Sequence, residues 1–550
     1  NELKAKYGTV ENLNAKCGTD LKSFEAVELP VRQPKTQPEH ALWELWRRCR
    51  ERKLREHQRA FYRVVKEESP TVDIFNIPSC GSFASPLFGL NFYETFCDTD
   101  VSGVDGTCVL DEYEWQYADL CPQKRFLTSE WGGLYTEKPM QYLYGKLWQE
   151  MSAGSWGAEQ HYWSFGEDSC NYVDFLDYPT KNGAMLWAWL RDVRRFDPLL
   201  LDGCRAEPEI GILYSQTARC HDQAWGFEGE ARDSAHLQAV TDLYRLFLDW
   251  GRSARVIDEA ELLADGFRPP KTLFVAHAAY LPVEVQERLN AYASGGGNLI
   301  VIGNSGAYDR FGRPSGVLAS PTLAKVTATG VESALRALGL SERFAVSDPT
   351  RMLREWTYDG ETYLILASRN GTKGQDWGLD EVEIAVRGAV GLEDGLTGTR
   401  LRTEARDGYT VFRTLAVNGA RVFRIVSGAI APIDDKAAMA RVPHFAAGAA
   451  TKEAGDLKDV TLPFDDKLYD ATAIRAGEAV FSLTTVGSGD RPDSGESYLS
   501  LTEGGETVRR KLVEKQTCEM KTPNGRAFKV TCRRNFQMFP FFSEVRIEEK

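Results

Sequence analysis

The sequence predicts an α/β multidomain chain: the C-terminal half of a TIM (β/α)8 barrel, then a doubly wound flavodoxin-like domain, then β-sandwich domains. Three observations predict it. Four short apolar runs alternate with helical patterns before residue 200, and four more, again with helices between them, follow up to about residue 335. From about residue 340 the pattern changes to strands alone. At 550 residues the chain is too long for a single core.

In the first region, 1–200, the strands are TVDIFNIP (71–78), DVSGVD (100–105), RFLTSE (125–130) and AEQHYW (158–163). The longest helical pattern lies at 42–65, with Trp43, Trp46, Leu54, Phe61 and Val65 on one stripe. The strands end on polar or aromatic residues, Asn76, Asp105, Glu130 and Trp163, and functional groups gathered at strand C-termini suit a barrel. A barrel needs eight strand–helix units and this region has four, so the second half of one is expected.

The second region, 205–335, holds EIGILY, SARVID, KTLFVA and NLIVIG as buried strands. Helices fit at 235–250, with Leu237, Val240, Tyr244 and Phe247 inward, and at 283–293, with Val285, Leu289 and Tyr292 inward. The run Gly295-Gly296-Gly297 ends a helix but lacks the GxGxxG order of a dinucleotide site, so no cofactor is expected. Residues 340–430 alternate as an antiparallel sandwich, and 434–550 form a further β-rich domain for which carbohydrate binding is a reasonable role. Cys518 and Cys532 flank the Asn524-Gly525 turn almost symmetrically, which would put them nearly opposite each other, as a disulfide or as two small buried residues.

Composition excludes several functions. A net charge of −13 argues against nucleic-acid binding. No run approaches the ~20 apolar residues that span a bilayer. The basic stretch RRCRERKLREHQR (47–59) alternates with glutamates and reads as a solvated helix face. The seven histidines are dispersed without metal-ligand spacing, so no metal is expected, and no GxSxG supports a serine nucleophile. The first residues, NELKAKYGTVENL, show no signal peptide, and the compartment stays open. A neutral substrate such as a sugar fits this balance.

Glu130 is the candidate catalytic nucleophile: it ends an apolar strand after two hydroxyl residues and precedes Trp131 and a Gly-Gly turn. Trp131 counts with the substrate-binding candidates. Trp163 could stack on the C–H face of a sugar or simply pack in a core. Asn76 could hydrogen-bond a sugar hydroxyl or cap a loop.

Several stretches together resemble glycoside hydrolase family 42, the β-galactosidases with a trimerisation domain behind the barrel. KYGTVENLNAKCGT (6–19) looks like the segment after that barrel's fourth strand; SPTVDIFNIP, DVSGVD and FLTSE resemble its fifth to seventh strands. LPVEVQERLNAYASGGGNLIVIGNSGAYDRFG is similar to the end of the trimerisation domain, and DGLTGTRL with NGARVFRIV to the C-terminal sandwich. The resemblance implies a retaining, exo-acting hydrolase with Glu130 as nucleophile, Asn76 in place of the family's asparagine, and a homotrimer. Glu167, in FGED, corresponds loosely to a glutamate that binds sugar hydroxyls, although a solvated loop acid is the better reading. The acid/base glutamate is expected upstream of Asn1, because the Asn-Glu pair at Glu2 lies too close to Tyr7. The sequence departs from the family in WGGLYTEK after the glutamate and in lacking Tyr-Pro after the sixth strand. A related barrel enzyme such as a β-mannosidase therefore stays open, as does a non-catalytic carbohydrate-binding or assembly subunit. The trimerisation domain also resembles glutamine amidotransferases, but no nucleophilic cysteine follows its strands, and His277 has no thiol partner. The loop 220–236 carries Trp225 and Phe227, either as interface anchors or folded back on their own domain.

Overall fold

The long helix expected at 42–65 runs from Gln37 to Glu68 in the computed structural model. The structure describes residues 2–28, 34–76, 91–105, 125–131, 148–160, 189–190, 193–205, 208–222, 234–319, 324–326, 330–340, 342–348, 351–368, 381–388, 390–395, 398, 400–415, 420–426, 457–469, 473–486, 496–504, 506–536 and 542–550. They fall into two compact units, 1–129 with 207–341 and 130–206 with 342–550. The architecture is mixed α/β.

The helix starts on a capping box. The Glu39 carboxylate accepts from the Thr36 N–H at 2.9 Å and from its hydroxyl at 3.0 Å, and Pro38 sits in the first turn. Its buried face is not the apolar stripe read from the sequence. Trp43 is buried, but Leu54 and Phe61 are 41% and 61% exposed, while Glu44, Arg47 and Glu51 are buried. The reason is pairing along the helix. Arg47 lies three residues after Glu44 and four before Glu51, so its guanidinium reaches both carboxylates from one turn. The stretch 47–59 is therefore not uniformly a solvated face.

Beyond the helix, strands Phe75–Asn76, Val101–Asp105 and Arg125–Trp131 lie side by side and parallel, with Asn76 opposite Ser102 and Asp105 opposite Ser129. Gly103 makes the close spacing possible: a Cβ there would stand 2.2 Å from the Phe75 ring and 2.6 Å from the Leu127 carbonyl. The helix holds the starts of these strands. Asp98 pairs with Arg55 at 2.6 Å and Arg59 at 2.9 Å; Asp100 pairs with Lys66 at 2.8 Å and accepts from Tyr62 and from the Ile74 N–H. A further strand, Gly157–Gln160, covers the start of the run expected at 158–163, whose last residues lie outside the described set.

The first unit also contains a five-stranded parallel sheet. Numbering its strands in chain order, Ile210–Tyr214, Ala254–Asp258, Thr272–Ala276, Asn298–Ile302 and Ala324–Val326, they lie in the order 2-1-3-4-5. Successive residues point to opposite faces, and both faces are covered. Leu213, Ile257, Leu273, Val275 and Val301 share a core with Val285 and Leu289 of helix Val283–Ser294. Phe274 points the other way and meets Phe247 of helix Ala235–Asp249, ring centroids 5.2 Å apart. Tyr292 is only partly buried, because its hydroxyl reaches the Pro270 carbonyl at 2.7 Å and its ring fills the place of a side chain at Gly297. That contact gives the glycine run a packing role.

In the second unit, Phe344–Val346, Glu381–Arg387, Tyr409–Leu415 and Thr403–Arg406 form one antiparallel sheet. Gly391–Asp394, Ala420–Val426, Glu361–Ser368, Arg351–Tyr358 and Cys204–Arg205 form another. Phe344, Leu364, Ile384, Phe412 and Phe423 are buried in a core common to both. On its other face the second sheet buries Trp356, Tyr363 and Ile365 against Trp148, Met151 and Phe196. Two more sheets, from Leu457 to Glu549, share a core around Phe481 and Phe528. Their hairpin Gln516–Lys521 to Ala527–Phe536 corrects the cysteine expectation: Cys532 stands opposite Gln516, and Cys518 opposite Val530. The loop is five residues long and centred on Asn524, with Thr522 donating to the Arg526 carbonyl at 2.9 Å, so the register is two residues from the one that would join them. Both cysteines are free thiols on one core-facing side.

Phe247→Ala should destabilise the first unit by about 3–5 kcal/mol, as expected for emptying a fully buried aromatic site. Phe61→Ala should change stability by less than about 0.5 kcal/mol. Urea unfolding of both variants checks the pair, and equal losses would contradict the assigned helix face.

Candidate functional site

The sequence candidates fall at the ends of the parallel strands. Asn76 closes Phe75–Asn76, and Glu130 is the sixth residue of Arg125–Trp131, directly after the Ser129 that stands opposite Asp105. Glu130 thus leaves the sheet at a C-terminal strand end, followed by Trp131 as the last strand residue. Parallel strands direct such ends to one edge, where loops can assemble a site. Trp163, Glu167, Trp225 and Phe227 lie outside the described residues.

A second concentration of polar groups, which the sequence reading missed, lies buried where helix Gln37–Glu68 meets the parallel sheet. Glu44 receives two hydrogen bonds from Arg47, at 3.0 and 2.8 Å, and another from Arg48 at 3.0 Å. Burial pushes the Glu44 carboxyl up, but Arg47 and Arg48 outweigh it and hold it down at about 2. Glu51 also pairs with Arg47, yet burial dominates there and its pKa is raised. Arg48 reaches Glu259 at 3.7 Å, and Glu259 accepts from the Ser215 hydroxyl and from the Thr217 N–H and hydroxyl, at 3.1 and 2.9 Å. Burial, with Glu259 alongside, raises the neighbouring Asp258 well above the carboxylate range. His236 accepts from the Ser215 N–H at 2.8 Å and lies 2.7 Å from the Ala276 carbonyl. His221 lies 2.9 Å from the Arg310 carbonyl and 2.8 Å from His40.

The one signal that could have exposed this cluster is the i, i+3, i+4 spacing of Glu44, Arg47, Arg48 and Glu51 beside two tryptophans. Glu44, Glu51 and Glu259 are engaged by arginines and hydroxyls, which suits fastening rather than proton transfer. Among the described residues no group of three or more His, Cys, Asp or Glu could hold a metal ion, and no helix is long and apolar enough to cross a membrane.

No protein-family model matches the chain, and no curated protein matches it by sequence. Solved structures do match. The exo-carrageenase of glycoside hydrolase family 42 from Bacteroides ovatus superimposes with a TM-score of 0.58 at 14% identity, over 78% of this chain and 62% of that one. The β-galactosidase from Bacillus circulans sp. alkalophilus gives 0.59 at 12% identity, over 77% and 75%. That from Rahnella sp. R3 gives 0.59 at 15% identity, over 77% and 74%. The fold is glycoside hydrolase family 42-like. The present chain spans 62% of the length of the exo-carrageenase and about three quarters of the two β-galactosidases. At such identities the likeness is one of backbone.

Within this family 42-like fold, His236 makes stability depend on pH. Burial pushes its imidazole down to about 4, from about 6.5 in an unfolded chain. The folded pKa is the lower one, so on acidification the unfolded state takes up the proton first. The stabilisation is full above about pH 6.5 and is lost between there and about 4, approaching about 3 kcal/mol. His236→Gln should flatten this part of the urea midpoint–pH profile. Superimposable profiles for the two proteins would contradict the assignment.

Proposed function

We propose that the protein is a retaining, exo-acting glycoside hydrolase that takes β-galactosides, with Glu130 as its nucleophile. The observation that carries this reading is the position of Glu130, next to the C-terminal end of the third strand of a four-stranded sheet in a family 42-like fold. On this reading, strands Phe75–Asn76, Val101–Asp105, Arg125–Trp131 and Gly157–Gln160 are the fifth to eighth strands of a (β/α)8 barrel. The five-stranded parallel sheet is the doubly wound trimerisation-like domain, and the antiparallel pairs that follow are sandwiches.

The chemistry follows from two carboxyl groups about 5–5.5 Å apart. The Glu130 carboxylate attacks the anomeric carbon, and the glycosidic C–O bond breaks as a second carboxyl group protonates the leaving oxygen. That second group, now a carboxylate, takes a proton from water, whose oxygen displaces Glu130 from the sugar with net retention. Asn76 supplies a hydrogen bond to a sugar hydroxyl, and Trp131 and Trp163 supply stacking faces.

In the natural full-length protein, Glu130→Gln should lower kcat on an aryl β-galactoside roughly a thousandfold or more without changing the fold. Glu130→Ala should regain turnover with added azide, which replaces the lost nucleophile and gives a glycosyl azide. A Gln variant that keeps more than about a tenth of wild-type activity removes Glu130 from the mechanism.

The doubly wound sheet carries no dinucleotide fingerprint, and we assign it to assembly of a homotrimer, with Trp225 and Phe227 near the barrel mouth or a subunit contact. Sedimentation of the full-length protein should give three times the subunit mass. A monomer at micromolar concentration is the contrary result.

A further inference from the structure

Helix Gln37–Glu68 meets the parallel sheet at a pair of imidazoles. His40 Nδ1 and His221 Nδ1 are 2.8 Å apart. Both rings stack on Tyr280, with centroids 5.5 and 4.5 Å away, and Tyr280 stacks in turn on Tyr308 at 5.1 Å. His221 Nε2 lies 2.9 Å from the Arg310 carbonyl oxygen. A carbonyl oxygen only accepts, so Nε2 carries the proton, and Nδ1 of the neutral ring is an acceptor. The contact between the rings is then a hydrogen bond donated by His40 Nδ1. Both tautomers are fixed by this one carbonyl.

The consequence appears on acidification. Protonated His221 carries N–H at both positions, and a neutral His40 meets it by moving its proton to Nε2 and accepting at Nδ1. Once His40 is protonated as well, two Nδ1–H groups face each other across 2.8 Å and the hydrogen bond is lost. We propose that the His40–His221 pair is an acid-sensitive latch, whose protonation at both rings releases the first turns of the helix from the sheet.

Charges face the pair from each neighbouring element. On the helix, Glu39 favours charged His40, while Glu44 favours and Arg47 opposes charged His221. From the sheet side, Arg310 faces Glu44 and is itself paired with Glu284, and Asp222 and Tyr308 face Tyr280. Burial outweighs Glu44 and keeps His221 neutral down to about pH 4. The neighbouring contacts, Gln37 to the Phe311 carbonyl at 2.7 Å and Trp43 to the Cys220 carbonyl at 3.2 Å, do not titrate. At this end of the helix the titrating contacts are the imidazoles and the Glu39 carboxylate of the capping box, and the two histidine variants isolate the imidazoles.

Hydrogen exchange read by mass spectrometry on the full chain tests the latch. After correction for intrinsic rates, peptides covering 37–46 should lose about tenfold in protection between pH 6.5 and 4, before the strand Thr272–Ala276 does. His221→Gln, whose amide does not titrate, should lose this step. So should His40→Asn, whose amide can turn its oxygen to a protonated ring. Identical pH profiles in wild type and both variants, or opening of 37–46 only together with the whole unit, would overturn the proposal. Should the variants fail to fold, ¹⁵N shifts of labelled histidines in the wild type decide. An Nε2–H neutral tautomer for His221 at pH 7.5 supports the latch, and an Nδ1–H tautomer refutes it.

Discussion

Arg47 lies fully buried between Glu44 and Glu51, and the arrangement of the first unit depends on that bracket. A buried guanidinium without partners would carry a large desolvation cost, and removing one member of such a pair leaves a charge stranded at about 3–5 kcal/mol. The carboxylates on the same helix face avoid this, so a charged face can be buried against the sheet. Arg48 extends the contact to Glu259, at the C-terminal edge of that sheet, and Glu259 is held by Ser215 and Thr217. Four of these side chains come from about two turns of helix.

What the bracket fixes at one end, the helix transmits along its length. At 1.5 Å per residue its 32 residues span about 48 Å. Its first turns contact His221, Cys220 and Phe311; its last turns hold Asp98 and Asp100. Asp100 in turn accepts the Ile74 N–H just before the first parallel strand. The register then passes from Val101 to Arg125, and the strand so placed carries Glu130 near its end.

The sequence made some of this legible and concealed the rest, for physical reasons. Runs such as ILY, FVA and LIVI are buried on both faces, and continuous apolarity of that kind reads directly as parallel strands. Helices Ala235–Asp249 and Val283–Ser294 show their inward faces by periodicity, because one face is packed and the other is wet. Helix Gln37–Glu68 misled on the same test: its buried face is charged, and Phe61 and Leu54 point outward. Periodicity detects apolar burial alone, and charges satisfied by their own neighbours escape it. The cysteine hairpin failed by two residues because loop length, which sets register, is not written in a single Asn-Gly pair. For Glu130 the sequence offered a place at a strand end and a family resemblance, and the strand position is what the structure shares with that reading.

The most direct test of the account is to trap the sugar on its nucleophile. The full-length protein would be incubated with a 2-deoxy-2-fluoro β-galactoside bearing a good leaving group, which slows release of a covalent glycosyl-enzyme more than its formation. Peptide mapping by mass spectrometry should then find one fluorosugar on the peptide containing residues 125–131, at Glu130. A protein that turns over β-galactosides yet carries the label on another carboxylate would contradict the account.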